Sequence, residues 1–275
     1  MLIAFIGGGN MARALISGLK RTGDSGLSIR VADPSETART QLRSDYNVAV
    51  SPSTAEAARG ADVIVLAVKP QVVPQALTEL SGAIAPEQLL LSIAAGTTIT
   101  AISSQLGPRQ AIIRSMPNTP ALIGEGISGL CAGEHCRPHH RAQAERLLRA
   151  AGEVVWVEEE SLMNAVTAIS GSGPAYFFLL AEAMSAAGVR LGLPAGVATL
   201  LAEHTCAGAG AMLKDSETGA AELRRRVTSP GGTTQAALEV FTQGQFAELV
   251  YAAAAAAEKR GHELAQITGA LSPGT

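Results

Sequence analysis

The chain has few cysteines, no long apolar run and little charge, and each shortage excludes a class of protein. Three cysteines in 275 residues cannot form a disulfide framework, which favours a reducing cytoplasm over an extracellular location. No apolar run approaches the roughly 18 residues that a membrane span needs, so we expect a soluble protein that does not bind membranes. The net charge of −3 at pH 7 provides no basic surface for nucleic acid or anionic lipid.

Short apolar runs alternate with helix-like segments through the first half of the chain. The runs are rich in Val, Ile and Leu and lack polar alternation, which is typical of strands buried on both faces of a parallel sheet. They lie at Leu2–Ile6, Ile29–Ala32, Val48–Val50, Val63–Val68, Leu89–Ile93, Ile112–Met116, Gly129–Ala132 and Val154–Val157. Helical patterns fall between them at Asn10–Arg21, Thr54–Arg59, Gln71–Leu80, Thr98–Gln105 and Pro138–Ala151. The alternation predicts an α/β fold of the Rossmann type, a doubly wound parallel sheet with right-handed crossovers.

The character of the chain changes after the acidic run Glu158–Glu160. Alanine-rich helical patterns follow at Ser161–Ile169, Ala175–Leu191, Pro194–Lys214, Ala220–Arg226, Thr233–Thr242 and Phe246–Leu264. We predict a Rossmann domain over residues 1–159, an all-α domain over residues 160–266 and a disordered tail over residues 267–275. Because the helical part holds few bulky apolar side chains, we expect its helices to pack against a second copy. An ordinary monomeric bundle is the alternative.

A glycine-rich motif, Gly7-x-Gly9-x-x-Ala12, follows the first strand and opens the first helix. This strand–turn–helix context is the one that dinucleotide binding requires. Gly7 permits a tight turn and Gly9 lets the backbone approach a pyrophosphate, while the helix start at Asn10 and Met11 offers N–H groups to the phosphates. We therefore predict a dinucleotide site. The alternative is a glycine-rich turn that binds nothing.

The residue that follows the second strand, Asp33, is expected to report on the ribose of the cofactor. An acid about 20 residues after the glycine loop accepts hydrogen bonds from a 2′-hydroxyl and repels a 2′-phosphate. Ser35, Thr37 and Arg39 lie close enough in sequence to hold a phosphate instead. A third interpretation is that Asp33 only shapes the turn before Pro34.

A second glycine-rich segment, Ser229–Thr234, precedes a predicted helix near the end of the chain. Successive N–H groups before a helix can form a small nest for an anion such as a carboxylate. The alternative is a plain turn in which a threonine caps the helix. The adjacent run Arg224–Arg226 could attract an anionic substrate, although a solvated helix face is the simpler interpretation.

Potential metal ligands cluster in one short stretch. Cys131, His135, Cys136, His139 and His140 fall within ten residues of one another. Their spacing matches no standard zinc pattern, so we expect no metal site. No Ser-His-Asp set or pair of carboxylates suggests hydrolytic chemistry.

Six short motifs together resemble one family, the Δ1-pyrroline-5-carboxylate reductases of proline biosynthesis. They are Ile6-Gly-Gly-Gly-Asn-Met-Ala12, Ala67-Val-Lys-Pro-Gln71, Ser92-Ile-Ala-Ala-Gly96, Met116-Pro-Asn-Thr-Pro120, Ser170-Gly-Ser-Gly-Pro-Ala-Tyr176 and Val227-Thr-Ser-Pro-Gly-Gly-Thr-Thr234. The resemblance extends to about Gln266. It implies a Rossmann domain, a helical dimerisation domain, and dimers or rings of dimers. It also implies an oxidoreductase that transfers hydride from NADPH or NADH to the imine carbon of 1-pyrroline-5-carboxylate, giving L-proline.

The resemblance also implies roles for individual residues. The implied catalytic residues are Thr234, whose hydroxyl is expected beside the ring nitrogen, and Glu217, which is expected to act through water or a partner subunit. The implied substrate-binding residues are Ser229, Gly231, Gly232, Thr233 and Thr234. The implied cofactor-binding residues are Gly7, Gly9, Asn10, Met11, Asp33, Ser35, Ala67, Val68, Lys69, Pro70, Ala94, Ala95, Gly96 and Asn118. Many members carry Asn-Arg where this chain has Asp33-Pro34, which leaves the choice between NADPH and NADH open.

Two other functions remain as alternatives. One is a different two-domain nicotinamide-dependent dehydrogenase, acting on a small hydroxy acid. That chemistry needs a Lys or His base in the helical half, and His204 and Lys214 are poor matches. The other is a regulator that binds the cofactor without catalysis, against which the intact Ser229–Thr234 segment argues.

Overall fold

An eight-stranded sheet organises the first half of the chain in the computed structural model, which describes residues 1–270, with side chains to residue 266. The strands are β1 Leu2–Ile6, β2 Ser28–Ala32, β3 Ala49–Ser51, β4 Val63–Leu66, β5 Leu89–Ser92, β6 Ala111–Met116, β7 Gly126–Ala132 and β8 Gly152–Trp156. Their order is β3-β2-β1-β4-β5-β6-β7-β8. The first six strands are parallel and follow the Rossmann order, which confirms the predicted fold.

One pair of strands departs from the predicted parallel arrangement. β6 and β7 are antiparallel, and β8 is parallel to β7. The connection from β6 to β7 is only the 3₁₀ turn Thr119–Ile123 with its flanking residues. A parallel neighbour needs a crossover of about a dozen residues or more, so this short connection forces the chain to reverse.

Helices cover both faces of the sheet. They are α1 Asn10–Arg21, α2 Glu36–Tyr46, α3 Thr54–Ala58, α4 Val73–Ser81, α5 Ile99–Leu106, α6 Pro138–Arg149 and α7 Met163–Val166. Phe5 and Leu15 are buried in the core on one face, and Leu66 and Leu77 in the core on the other. Each such side chain contributes roughly 1.5–3 kcal/mol when fully buried.

The sequence patterns did not predict α2. This helix is polar, and Leu42 is its one buried residue. It is held by its ends, since the Ser35 hydroxyl accepts the N–H of Ala38 at 3.3 Å and Asn47 closes it in the left-handed conformation, with φ of 49°. Apolar periodicity cannot detect a helix of this kind.

The chain divides into two compact units. The first contains Met1–Gly171 together with the chain from Ala257 onward, and the second is Ser172–Ala256. The sequence predicted a boundary between residues 159 and 160. Part of the tail predicted to be disordered, residues 271–275, lies outside the described residues.

Long helices build the second unit. They are α8 Gly173–Arg190, α9 Ala195–Asp215, α10 Ala220–Arg226, α11 Thr233–Gln243 and the first half of α12 Phe246–Ala270. α8 and α9 approach closely at Gly188, where an added Cβ would stand only 3.0 Å from the Ala198 Cβ. Among residues 1–270, no helix combines the length and hydropathy of a membrane-spanning segment.

Candidate functional site

The parallel strands place every predicted cofactor residue at one edge of the sheet. β2, β1, β4, β5 and β6 are consecutive parallel neighbours, so their carboxyl ends meet at this edge. The loops or helix starts after them carry Gly7, Gly9, Asn10, Met11, Asp33, Ser35, Ala67, Val68, Lys69, Pro70, Ala94, Ala95, Gly96 and Asn118. The chain switches sides of the sheet between β1 and β4, and ligands of doubly wound sheets bind at such a switch point.

The glycine loop after β1 has both crowded and open positions. Gly7 adopts φ of +99°, and a Cβ there would lie 2.7 Å from the carbonyl oxygen of Ala67. Gly9 adopts φ of −70°, and a Cβ there would meet no atom within 4 Å. No side chain caps α1, which begins at Asn10. The loop therefore presents open space and free helical N–H groups, as a pyrophosphate site requires.

Asp33 is bound to the glycine loop. One carboxylate oxygen accepts the N–H of Gly8 at 2.9 Å, and the other accepts the N–H of Ser35 at 2.9 Å. The turn-shaping interpretation thus describes a real contact. It leaves the ribose interpretation open as well, because each carboxylate oxygen has a second lone pair.

Arg39 lies under the same turn. Its Nη1 donates to the carbonyl oxygens of Asp33 and Pro34, both at 2.8 Å. The guanidinium is thereby held on main-chain oxygens. Another arginine, Arg13, donates from Nε to the Gly8 carbonyl at 3.1 Å. Arg13 was not among the residues predicted from the sequence, although its position one turn into α1 was a signal.

The loops after β4 and β5 lie at the same edge of the sheet. Lys69 is exposed and precedes a 3₁₀ turn that Pro70 opens. Ala94 is buried and Ala95 is exposed, so the β5 loop presents a small side chain at its surface. Gly96 adopts φ of +73°, and a Cβ there would stand 3.5 Å from the Leu264 Cβ.

Asn118, after β6, is buried and uses both ends of its amide on the main chain. Nδ2 donates to the Ser170 carbonyl at 3.1 Å, and Oδ1 accepts the N–H of Ile127 at 2.9 Å. Ser170 belongs to the π-helical turn Thr167–Gly171, a type of turn that is frequent at functional sites. The amide thus ties the strand end to the segment where the chain leaves the first unit.

A buried ion pair supports the same region. Arg114 in β6 donates to Glu160 Oε1 at 3.0 Å, and the Arg114 side chain is 6% exposed. The same carboxylate oxygen accepts the N–H of Ile99 at 2.8 Å, at the start of α5. This pair was not predicted, although an arginine inside an apolar strand was a sequence signal for it.

In the second unit, the segment Ser229–Thr234 forms the turn before α11. Gly231 adopts φ of +70°, and the N–H of Gly232 donates to the Ser229 carbonyl at 3.0 Å. Gly232 occupies the N-cap position and no side chain caps the helix. The alternative of a threonine cap is therefore not what the structure shows. The N–H groups of Thr233 and Thr234 open the helix.

The other predicted residues of the second unit lie nearby in sequence. Glu217 is exposed in the turn after α9. Arg225 and Arg226 both donate to Glu222, at 2.7–2.9 Å, and they lower the pKa of its carboxyl group, Arg225 most strongly. These arginines are paired on their own helix face.

Two members of the cysteine and histidine cluster, Cys136 and His140, bond to the main chain. The thiol of Cys136 donates to the Ile112 carbonyl at 3.0 Å. His140 Nδ1 accepts the N–H of Arg137 at 3.2 Å, and its Nε2 lies 3.2 Å from the Glu87 carbonyl. Within residues 1–266, no three His, Cys, Asp or Glu side chains are placed to hold a metal ion.

Comparisons with known proteins cover nearly the whole chain. The family described as pyrroline-5-carboxylate reductase dimerisation matches residues 160–264, and the family described as NADP oxidoreductase, coenzyme F420-dependent, matches residues 2–96. The pyrroline-5-carboxylate reductase of Pseudomonas aeruginosa is 46% identical over 97% of this chain and 98% of its own length. That of Vibrio alginolyticus is 41% identical over 96% of this chain and 98% of its own.

Solved structures show the same similarity. A pyrroline-5-carboxylate reductase from Coxiella burnetii superposes with a TM-score of 0.91 at 39% identity, over 95% of this chain and 97% of that one. A pyrroline carboxylate reductase from Plasmodium falciparum with NADP bound gives a TM-score of 0.82 at 28% identity, over 96% and 98%. The family matches over residues 2–96 and 160–264 include the glycine loop and the turn before α11.

Proposed function

The chain belongs to the pyrroline-5-carboxylate reductase family, and we propose that it reduces the cyclic imine 1-pyrroline-5-carboxylate to L-proline with NADPH or NADH. The observation that carries this proposal is a pair of helix N-termini that no side chain caps, α1 behind Gly9 and α11 behind Gly232. Such helix starts bind anions. The reactants carry two such anionic groups, the pyrophosphate of the cofactor and the carboxylate of the substrate.

The residues at the carboxyl edge fit a dinucleotide. The open space at Gly9 admits a pyrophosphate, and Asp33 and Ser35 lie at the end of β2, where a ribose would be held. Lys69, Ala95 and Asn118 follow the strands on the other side of the switch point. When bound, the cofactor supplies the hydride, and these residues orient it.

The substrate is assigned to the turn before α11. The N–H groups of Thr233 and Thr234 donate to the carboxylate, supported by the turn from Ser229 through Gly231 and Gly232. The Thr234 hydroxyl lies by the ring nitrogen and relays the proton that the product amine needs. Glu217 assists through water or a partner subunit. The first helical turn of α11 supports both threonine assignments.

Homo-oligomerisation accompanies this function. The dimerisation family matches residues 160–264, and the second unit exposes large apolar side chains, such as Phe178 at 67%, Leu179 at 65% and Tyr251 at 72%. The buried residues of its helix α9 are small, namely Ala198 and Ala202. We propose a dimer, or a ring of dimers, in which a second copy covers this apolar surface.

The thiols support the proposed cytoplasmic location. Cys131, Cys136 and Cys206 are all unpaired. Burial raises the pKa of the Cys131 and Cys136 thiols above their ordinary value, which keeps them protonated and unreactive. A reducing compartment leaves such thiols free.

Turnover tests the proposed function directly. We expect oxidation of NADPH or NADH on addition of 1-pyrroline-5-carboxylate, with L-proline as the product. A small hydroxy acid with the oxidised cofactors is the control substrate for the alternative dehydrogenase. Absence of imine reduction with both cofactors would overturn the proposal, and cofactor binding without turnover would favour a regulator.

A further inference from the structure

A side chain from α11 reaches back into the turn that carries the proposed substrate site. Gln235, in the first turn of the helix, accepts the N–H of Gly231 on its Oε1 at 2.8 Å. Gly231 lies before the helix and adopts the left-handed φ of +70°. Glutamine at the third helical position often bonds to the N-cap N–H. Here it reaches one residue further back.

This bond divides the N–H groups of the turn into two sets. Gly231 donates to Gln235 and Gly232 donates to the Ser229 carbonyl. The turn is thereby fixed at two successive peptides by its own atoms. The next two N–H groups, those of Thr233 and Thr234, open α11 with no side chain capping it. They are the donors left for a ligand.

Glu239 determines which end of the Gln235 amide faces the turn. Gln235 Nε2 donates to Glu239 Oε1 at 2.9 Å, one helical turn further along. An ionised carboxylate only accepts hydrogen bonds, so it binds the NH₂ group and directs the amide oxygen towards the Gly231 N–H. Residues four apart on a helix lie side by side, which keeps this chain of bonds on one face.

The charge of the side chain matters as much as its reach. A glutamate at position 235 could accept the same N–H, but it would place a negative charge beside the proposed carboxylate site. The amide makes the same hydrogen bond without that repulsion. A neutral acceptor here is what a turn that binds an anion requires.

We propose that Gln235 is a positioning residue that pre-arranges the N–H groups of Thr233 and Thr234 for the substrate carboxylate, with Glu239 orienting its amide. The inference rests on the proposed function and assigns a role to two residues outside the substrate contacts. A pre-arranged turn spares the ligand the cost of ordering it, so the effect belongs to substrate affinity.

Steady-state kinetics of the full chain test the inference. The variants are Gln235→Ala, Gln235→Glu and Glu239→Ala, with Gln243→Ala as a matched control two turns further along α11. We expect Gln235→Ala to raise KM for 1-pyrroline-5-carboxylate about five-fold, the ratio for one neutral hydrogen bond. KM for the cofactor and kcat should stay within about two-fold of the wild type. Glu239→Ala should give a smaller rise, and Gln243→Ala none.

Gln235→Glu separates hydrogen bonding from charge. It should raise KM for the imine about ten-fold or more at low salt, and the rise should shrink as ionic strength increases. The Gln235→Ala effect should not depend on salt. Thermal melts of each variant are the control that checks whether the fold is retained.

Four outcomes would overturn the inference. An unchanged KM in Gln235→Ala would show that the turn needs no support, and a lower KM would show that Oε1 competes with the carboxylate. A lower kcat together with a higher KM for both the imine and the cofactor would show a general structural defect. Wild-type protein without turnover would overturn the proposed function itself, and this inference with it.

Discussion

Adding one methyl group at each of two glycines of the same loop should damage different properties of the protein. At Gly7 the φ of +99° disfavours any side chain, and a Cβ would lie 2.7 Å from the Ala67 oxygen and 2.9 Å from its carbon. At Gly9 the φ of −70° suits any residue, and the new Cβ would meet nothing within 4 Å. Gly7→Ala should therefore damage the fold, and Gly9→Ala should damage cofactor binding.

The magnitudes follow from these contacts. A left-handed alanine costs about 1–2 kcal/mol, and displacing a packed backbone carbonyl adds about 1–3 kcal/mol. Gly7→Ala should thus lower the free energy of unfolding by about 2–5 kcal/mol. Gly9→Ala should change it by less than about 1 kcal/mol. Its methyl group would stand where we propose that the pyrophosphate approaches, so the cofactor Kd should rise about 5- to 150-fold, equivalent to about 1–3 kcal/mol.

Two measurements check this pair. Denaturant unfolding without cofactor gives the free energies, and titration calorimetry with NADPH and NADH gives the Kd values. Gly60→Ala is the matched control, because Gly60 has φ of +71° with no atom near its Cβ position, so it isolates the left-handed strain. The reasoning fails if Gly7→Ala costs no more than Gly60→Ala, or if Gly9→Ala binds both cofactors as the wild type does.

Three further predictions concern single side chains. Thr234→Ala should lower kcat and kcat/KM together by roughly 5- to 150-fold, through loss of a hydrogen bond of about 1–3 kcal/mol made mainly in the transition state. The control is Thr242→Ala, which should have no effect because the Thr242 hydroxyl bonds its own helix. Unchanged kinetics in Thr234→Ala would remove Thr234 from the site. Asp33→Ser should shift the ratio of kcat/KM values towards NADPH, because it removes a fixed negative charge from the ribose site, and Arg39→Ala should impair NADPH use selectively; an enzyme that strongly prefers NADPH, with Asp33→Ser making no difference, would show that Asp33 only shapes its turn. Burial lowers the pKa of His140 below its ordinary value of 6.5. The neutral form therefore contributes stability in full above about pH 6.5, and this contribution is lost as the pH falls through the lowered pKa. Between pH 7.5 and about pH 5, the melting temperature should fall less steeply for His140→Gln than for the wild type or the exposed His135→Gln, and equal slopes would contradict this.

The strands were the most predictable part of the molecule. A run such as Val63–Leu66 is buried at every residue, and burial on both faces is what an unbroken apolar pattern encodes. α2 escaped the same reasoning because its single buried residue, Leu42, produces no periodicity. The caps at Ser35 and Asn47 were readable, and capping signals are the better guide to such polar helices.

The candidate site shows the same limit at the level of atoms. Motifs indicated which loops carry the chemistry, because a glycine pattern reports backbone shape. They could not indicate that the Asp33 carboxylate is shared between Gly8 and Ser35, or that Gln235 bonds Gly231. Such contacts depend on where side chains lie in space, and neighbouring letters in the sequence do not encode this.

The interrupted course of the first unit has a consequence for how the protein is made. Its chain runs to Gly171, passes through the whole of Ser172–Ala256, and resumes at Ala257. At a translation rate of about 5–20 residues per second, synthesis of the intervening 85 residues takes roughly 4–17 s. During that time the nascent first unit lacks the segment around His262 that Asn164 bonds at 3.0 Å. The helical unit is an insertion in translation order, so all of it is synthesised before the first unit is complete.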